Sequence, residues 1–121
     1  MKELTKAKLL RVFISSTDKL DKDTLYESIV FKAKEAGLAG ATVYKGAMGY
    51  GASSVIHSYK FWEVAEKLPV VVEIIDEEEK VMAFYDAIRK DLEAIRYGCL
   101  VTMEDVTVLL NKAGQKREFY F

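Results

Sequence analysis

The sequence predicts an α+β domain of strand–helix–strand–strand–helix–strand order. Three observations carry that prediction. Stretches that alternate apolar and polar residues give way to stretches whose apolar residues recur every three or four positions. The second half of the chain repeats the plan of the first. Between the halves lies a polar stretch with three glycines, too long for a hairpin turn.

The first strand is read at Lys8–Ser15, where Leu10, Val12 and Ile14 alternate with Leu9, Arg11 and Phe13. A polar break follows, from Ser15 to Asp21. Leu25, Ile29, Ala33 and Ala36 then recur at helical spacing. Asp21 or Asp23 is placed to cap the start of that helix, and Gly37 suits the left-handed position after its end. Ala41–Lys45 restarts a strand. In the second half, Leu68–Ile75 is strand-like, with Pro69 at its entrance, where a missing N–H does least harm. Asp76-Glu77-Glu78-Glu79 has capping-box spacing and puts negative charge at a helix N-terminus. Val81, Phe84, Tyr85, Ile88 and Leu92 form the apolar stripe of that helix. Gly98 ends the segment, and Leu100–Leu110 supplies a last strand, expected to be interrupted near Glu104 and Asp105.

Leu25-Tyr26-Glu27-Ser28-Ile29 in the first helix answers Phe84-Tyr85-Asp86-Ala87-Ile88 in the second. The chain therefore reads as two copies of one βαβ unit. Two such units with right-handed crossovers give the ferredoxin-like βαββαβ sandwich. Its antiparallel four-stranded sheet carries two helices on one face, and a long loop joins strands 2 and 3. Residues 1–121 are expected to form one such domain, a length that buries a core unaided.

Half of the 121 residues are hydrophobic, 31% are charged, and the formal net charge is -1. That balance is ordinary for a soluble globular protein and argues against a nucleic-acid binder, which shows a basic face. The third strand has no aromatic or basic residue for stacking bases, so the RNA-recognition reading of the same strand order fails. Cys99 is the sole cysteine, which excludes an internal disulfide, and it reads as a small buried strand residue. The N-terminal residues are charged with no apolar stretch behind them, and the longest apolar run, Leu68–Ile75, is strand-sized. A cytoplasmic location is expected.

Both faces of the sheet are apolar. Val70, Val72 and Ile74 stand opposite Val71 and Ile75, and Leu10, Val12 and Ile14 stand opposite Leu9 and Phe13. Helices cover one face only, and a large exposed apolar face marks an interface. A homo-oligomer packed sheet to sheet is expected, with Arg11, Glu73 and Thr107 making the contact partly polar. The aromatic end of the chain, Glu118-Phe119-Tyr120-Phe121, is expected to dock on a neighbour.

Catalysis finds little support in the residues. His57 is the only histidine and reads as a solvated loop residue. The Asp76–Glu79 cluster reads as helix capping, and Glu104-Asp105 as a turn or bulge. No nucleophile–base pair or metal-ligand spacing stands out. The glycine loop is different. Successive backbone N–H groups at Gly46, Gly49 and Gly51 can form a nest for an anion, with Lys45 before them and Ser53 and Ser54 after. The candidate effector-binding set is Lys45, Gly46, Gly49, Tyr50, Gly51, Ser53 and Ser54. The spacing lacks the lysine-serine ending of a P-loop and does not open a helix after the first strand, as a dinucleotide fingerprint does.

The chain resembles the PII-like (GlnB-like) signal-transduction proteins, and more closely a short, largely uncharacterised bacterial branch of that superfamily. The resemblance rests on Val43-Tyr44-Lys45-Gly46 running into Gly49-Tyr50-Gly51-Ala52-Ser53-Ser54 and Ile56-His57. Leu68 to Asp76 and Gly98 to Val106 continue it. It implies a non-catalytic regulator that assembles as a homotrimer. It implies a small effector, an adenine nucleotide, in clefts between subunits. The loop of residues 46–67 would act on a partner, usually a membrane transporter, channel or enzyme. The chain departs from PII proper in two places. Gly98 runs almost directly into Leu100-Val101, without the second glycine- and lysine-rich loop, and Val106-Thr107-Val108-Leu109-Leu110 has no phosphate-binding arginine. Lys112, Lys116 and Arg117 lie further on. An alternative is a trimeric metal-responsive protein resembling the copper-tolerance proteins of the same fold, with His57, Cys99 and the acidic pairs as ligands.

Overall fold

A computed structural model describes residues 5–50, 57–58 and 67–114. The main sheet holds four strands: β1 (Thr5–Ser15), β4 (Ala41–Lys45), β7 (Pro69–Asp76) and β8 (Leu100–Val108). Two short hairpins accompany it, β2 (Lys19–Leu20) with β3 (Asp23–Thr24), and β5 (Met48–Gly49) with β6 (His57–Ser58). The helices are α1 (Leu25–Glu35) and α2 (Glu78–Ala94). The sheet order is β4-β7-β1-β8, and every pairing in it is antiparallel. This is the predicted ferredoxin-like arrangement.

Alternation along the strands sorts the side chains onto two faces. Leu10, Val12 and Ile14 of β1 and Val70, Val72 and Ile74 of β7 point to the helices. There they meet Leu25, Ile29 and Ala33 of α1 and Val81, Phe84, Ile88 and Leu92 of α2. The other face carries Leu9, Arg11 and Phe13, flanked by Val71, Glu73 and Ile75 on one side and Leu100, Thr102 and Glu104 on the other. No helix covers it. Phe13, Ile75, Tyr44 and Leu100 are exposed there, Leu100 to 57%. Thr107 stands opposite Lys6, so its side chain lies on the helix side and not on the open face as expected from the sequence.

Several local expectations are corrected. Neither Asp21 nor Asp23 caps α1. Thr24 does, accepting the Glu27 N–H at 3.4 Å while its hydroxyl donates to Glu27 Oε1 at 2.6 Å. Asp23 pairs in β3, and Asp21 takes φ 56 in the β2–β3 turn, a left-handed conformation that Asp tolerates. Gly37 has φ 80, as expected of a residue after a helix end. Asp76 does not open a capping box, since the N-cap of α2 is Glu77, which makes no side-chain cap. It is buried instead, and its carboxylate accepts the N–H groups of Ala39 at 2.8 Å and Glu77 at 2.7 Å. One side chain thus ties the segment after α1 to the start of α2.

The last strand is not interrupted at Glu104-Asp105. Its register against β1 runs without a break from Leu100 opposite Phe13 to Val108 opposite Thr5. The two acidic residues are tolerated because each finds a cation on its own face. Glu104 accepts from Arg11 on the open side, and Asp105 accepts from Lys8 on the helix side. Lys8 also reaches Glu78 at 3.5 Å in the first turn of α2. The Lys8 hydrogen bond and charge hold the Asp105 carboxyl below the usual aspartate range.

Removing Asp76 leaves two amide donors without their charged acceptor in a closed site. Asp76→Ala is expected to lower stability by about 3 kcal/mol, from the worth of hydrogen bonds to a buried charge. Urea unfolding of the variant against the wild type measures it.

Candidate functional site

The loops that carry the sequence motifs all leave the same end of the sheet. Ile14 and Ser15 lie opposite Val70 and Pro69, Lys45 lies opposite Val70, and Leu100 lies opposite Phe13. The turn after β1, the segment after β4, the entrance to β7 and the connection from α2 to β8 therefore converge.

The turn after β1 is built by its polar residues. Asp18 is buried, and its carboxylate accepts the Ser15 N–H at 2.8 Å. Ser16 clamps the entrance of β7: its N–H donates to Leu68 O at 2.8 Å, and its hydroxyl accepts the Leu68 N–H at 2.9 Å. The base of the long loop is held the same way, since the Gly46 N–H donates to Pro69 O at 2.7 Å. That amide is engaged and is not a free donor for an anion. Gly46 owes its place to close packing, because a Cβ on it would lie 2.9 Å from Pro69 Cγ. Gly49 has more room, 3.5 Å from the same atom, and neither glycine has positive φ.

Of the candidate effector set, Lys45, Gly46, Gly49 and Tyr50 are described, and Gly51, Ser53 and Ser54 lie outside the described residues. Lys45 faces the helix side, with Nζ 5.7 Å from the Tyr26 ring centroid. Tyr50 is exposed. Gly49 pairs with His57 in the short β5–β6 hairpin, which closes the first part of the loop. Among the described residues, no group of three or more His, Cys, Asp or Glu could hold a metal ion. Lys116, Arg117 and the aromatic C-terminal residues lie outside the described residues.

A second cluster at this end escaped the sequence reading. Lys67 Nζ lies 4.5 Å from the ring centroid of Tyr97, and Arg96 Cζ lies 5.4 Å from the same centroid. Among the described residues neither cation has a carboxylate within ion-pair distance. The ring attracts each cation, and both positive charges are held within about 6 Å of one ring centroid. A signal was present in the sequence: Lys67 stands just before β7, and Arg96-Tyr97 just before β8. Antiparallel neighbours around β1 bring those two positions together.

Cys99 is half-buried close by, with its thiol 4.0 Å from Leu92 O. Burial pushes its thiol up, and the charges of Asp18 and Glu93 push it further.

The model of the DUF190 family, described as Uncharacterized ACR, matches residues 7–108. The chain belongs to that family. A UPF0166 protein of Aquifex aeolicus is 41% identical over 106 residues, covering 88% of this chain and 96% of that one. A UPF0166 protein of Methanocaldococcus jannaschii is 32% identical over 105 residues, with coverage of 87% and 94%. Among solved structures, the fold is similar to that of CPII, a nitrogen regulatory PII-like protein of Thiomonas intermedia bound to ADP, AMP and bicarbonate. The TM-score is 0.66 at 17% identity, covering 88% of this chain and 91% of that one. A PII-like signaling protein of Thermus thermophilus gives a TM-score of 0.61 at 19% identity, with coverage of 89% and 94%. The family is thus PII-like in fold.

Two outcomes follow from this geometry. Gly46→Ala is expected to lose roughly 1–3 kcal/mol, the usual cost of overpacking, because the Pro69 ring cannot swing away, whereas Gly49→Ala is expected to be nearly neutral. Paired urea melts compare them. The raised Cys99 thiol holds less thiolate at pH 8 than a free cysteine, so iodoacetamide is expected to alkylate it more slowly, and unfolding in urea should remove the difference.

Proposed function

We propose that this protein is a non-catalytic regulator that binds a small anionic effector, an adenine nucleotide, in clefts between the subunits of a homotrimer. It acts on a partner, a transporter, channel or enzyme, through the loop of residues 46–67. The observation that carries the reading is the pair of cations on Tyr97. Lys67 ends the effector loop and Arg96 begins the connection to the last strand, so a bound anion would draw the two segments together. Lys67 and Arg96 take the part of the phosphate-binding arginines absent from Val106–Leu110. Lys45, Gly46, Gly49 and Tyr50, with Gly51, Ser53 and Ser54 of the same loop, complete the binding region. Two further facts support the reading. CPII, which shares the fold, was solved with ADP, AMP and bicarbonate. The uncovered apolar face also supplies a surface through which copies assemble.

The test is a thermal-shift and calorimetric titration with ATP, ADP, AMP, cyclic AMP and bicarbonate. At least one adenine nucleotide is expected to raise Tm, because a ligand of the native state must stabilise it. Arg96→Ala and Lys67→Ala are each expected to weaken that binding about ten- to a hundredfold, the loss of one charge-assisted hydrogen bond. Absence of any shift across the series would remove the nucleotide from the proposal.

A further inference from the structure

The open face of the sheet has one polar node. Arg11 sits at the centre of β1, the middle of the three strands around it. Its Nε donates to Glu73 Oε2 of β7 at 2.8 Å, and its Nη1 donates to Glu104 Oε1 of β8. Glu73 stands directly opposite Arg11, while Glu104 stands opposite Leu9 and reaches Arg11 diagonally. Around the node lie Leu9, Phe13, Val71, Ile75 and Leu100. Among the described residues of the four strands, Arg11, Glu73 and Glu104 are the charged groups on this face, and Tyr44 adds a phenol.

The node is only half used within the chain. A guanidinium has five N–H donors, and the bonds to Glu73 and Glu104 engage two of them. The Glu104 side chain is 54% exposed, so its carboxylate keeps acceptor capacity toward solvent. An apolar partner laid over this face would strip water from those donors and acceptors and give nothing back, which is costly. A partner that brings both a guanidinium and carboxylates at matching places removes that cost. A second copy of this chain brings both, and an apolar surround to match.

On the reading that copies assemble through this face, we infer that Arg11 of one copy bonds Glu104 of the next. The node then closes into a chain of alternating charges between subunits. It is the element that selects self over other apolar surfaces. Bidentate geometry makes the guanidinium suited to bridging carboxylates from two directions, which lysine does not reproduce.

Charge exchange tests this with the full chain. Arg11→Glu alone and Glu104→Arg alone each place like charges across the contact, and each is expected to weaken association at least a hundredfold in sedimentation equilibrium. An equal mixture of the two variants is expected to recover part of that loss, because opposite charges at position 11 of one chain and position 104 of the other then meet in two of the three contacts of a mixed trimer. The double variant Arg11→Glu, Glu104→Arg, made in a Glu73→Gln background so that no carboxylate faces position 11, restores the pair within one chain, and its circular dichroism and association show that the exchanged charges are compatible with the fold. If the double variant assembles and the mixture does not, the pair acts only within the chain and the inference is overturned. If the wild type itself stays monomeric at all concentrations, assembly through the face fails as well, a result the variants cannot mimic.

Discussion

The structure depends on β1 being paired on both sides in one register. With a side-chain period of two, a slip by one residue would turn Leu10, Val12 and Ile14 outward and drive Leu9, Arg11 and Phe13 into the helices. The cost of burying Arg11 unpaired makes the slip prohibitive. Its two carboxylates stand on the neighbouring strands, on the open side only. The ion pairs therefore do more for register than for net stability, since half-exposed pairs contribute little on their own. Lys8 does the same on the opposite face, joining Asp105 of β8 and Glu78 of α2.

That register also decides where chemistry can gather. Because β4, β7 and β8 all run against their neighbours, the C-terminal ends of β1 and β4 meet the N-terminal ends of β7 and β8. Three connections with little sequence in common are thereby brought to one end of the sheet. The long loop is not simply hung there. Gly46 is pressed against Pro69 and bonded to it, and Leu68 is clamped by Ser16 at the loop's other end. The loop is thus anchored at both of its roots, at Gly46 and at Leu68.

The fold was legible because its signals were redundant. Both helices and the strands β1 and β7 showed the right period, and the duplicated plan showed as well: core positions 10, 12 and 14 of β1 answer 70, 72 and 74 of β7. The errors were local and chemical. Thr24, directly before the apolar stripe and three residues before Glu27, has the capping-box spacing that Asp21 and Asp23 lack. Glu104-Asp105 looked like a break because adjacent acids suit a strand poorly. Nothing in the local sequence shows that Arg11 and Lys8 wait on opposite faces of the next strand. The candidate site was legible only in part for the same reason. Lys45 and the glycines announce themselves as a run, whereas Lys67 and Tyr97 are brought together by topology.

The cations on Tyr97 have a competing explanation, and the geometry weighs against it. A helix C-terminus favours positive charge, and the last turn of α2 holds no basic residue. Arg96, just past that end, answers this need, for about 0.3–1 kcal/mol. Lys67 does not have that reason to be there. It belongs to another segment, and its approach brings a second positive charge to a ring that already holds one. Cation–π attraction at an exposed site is worth only about 0.5–1 kcal/mol, and the repulsion between two cations at one ring offsets part of it. The pair is therefore close to neutral as a stabilising device. Its physical distinction is the positive field it presents where two loops meet, which an anion bridging both would relieve.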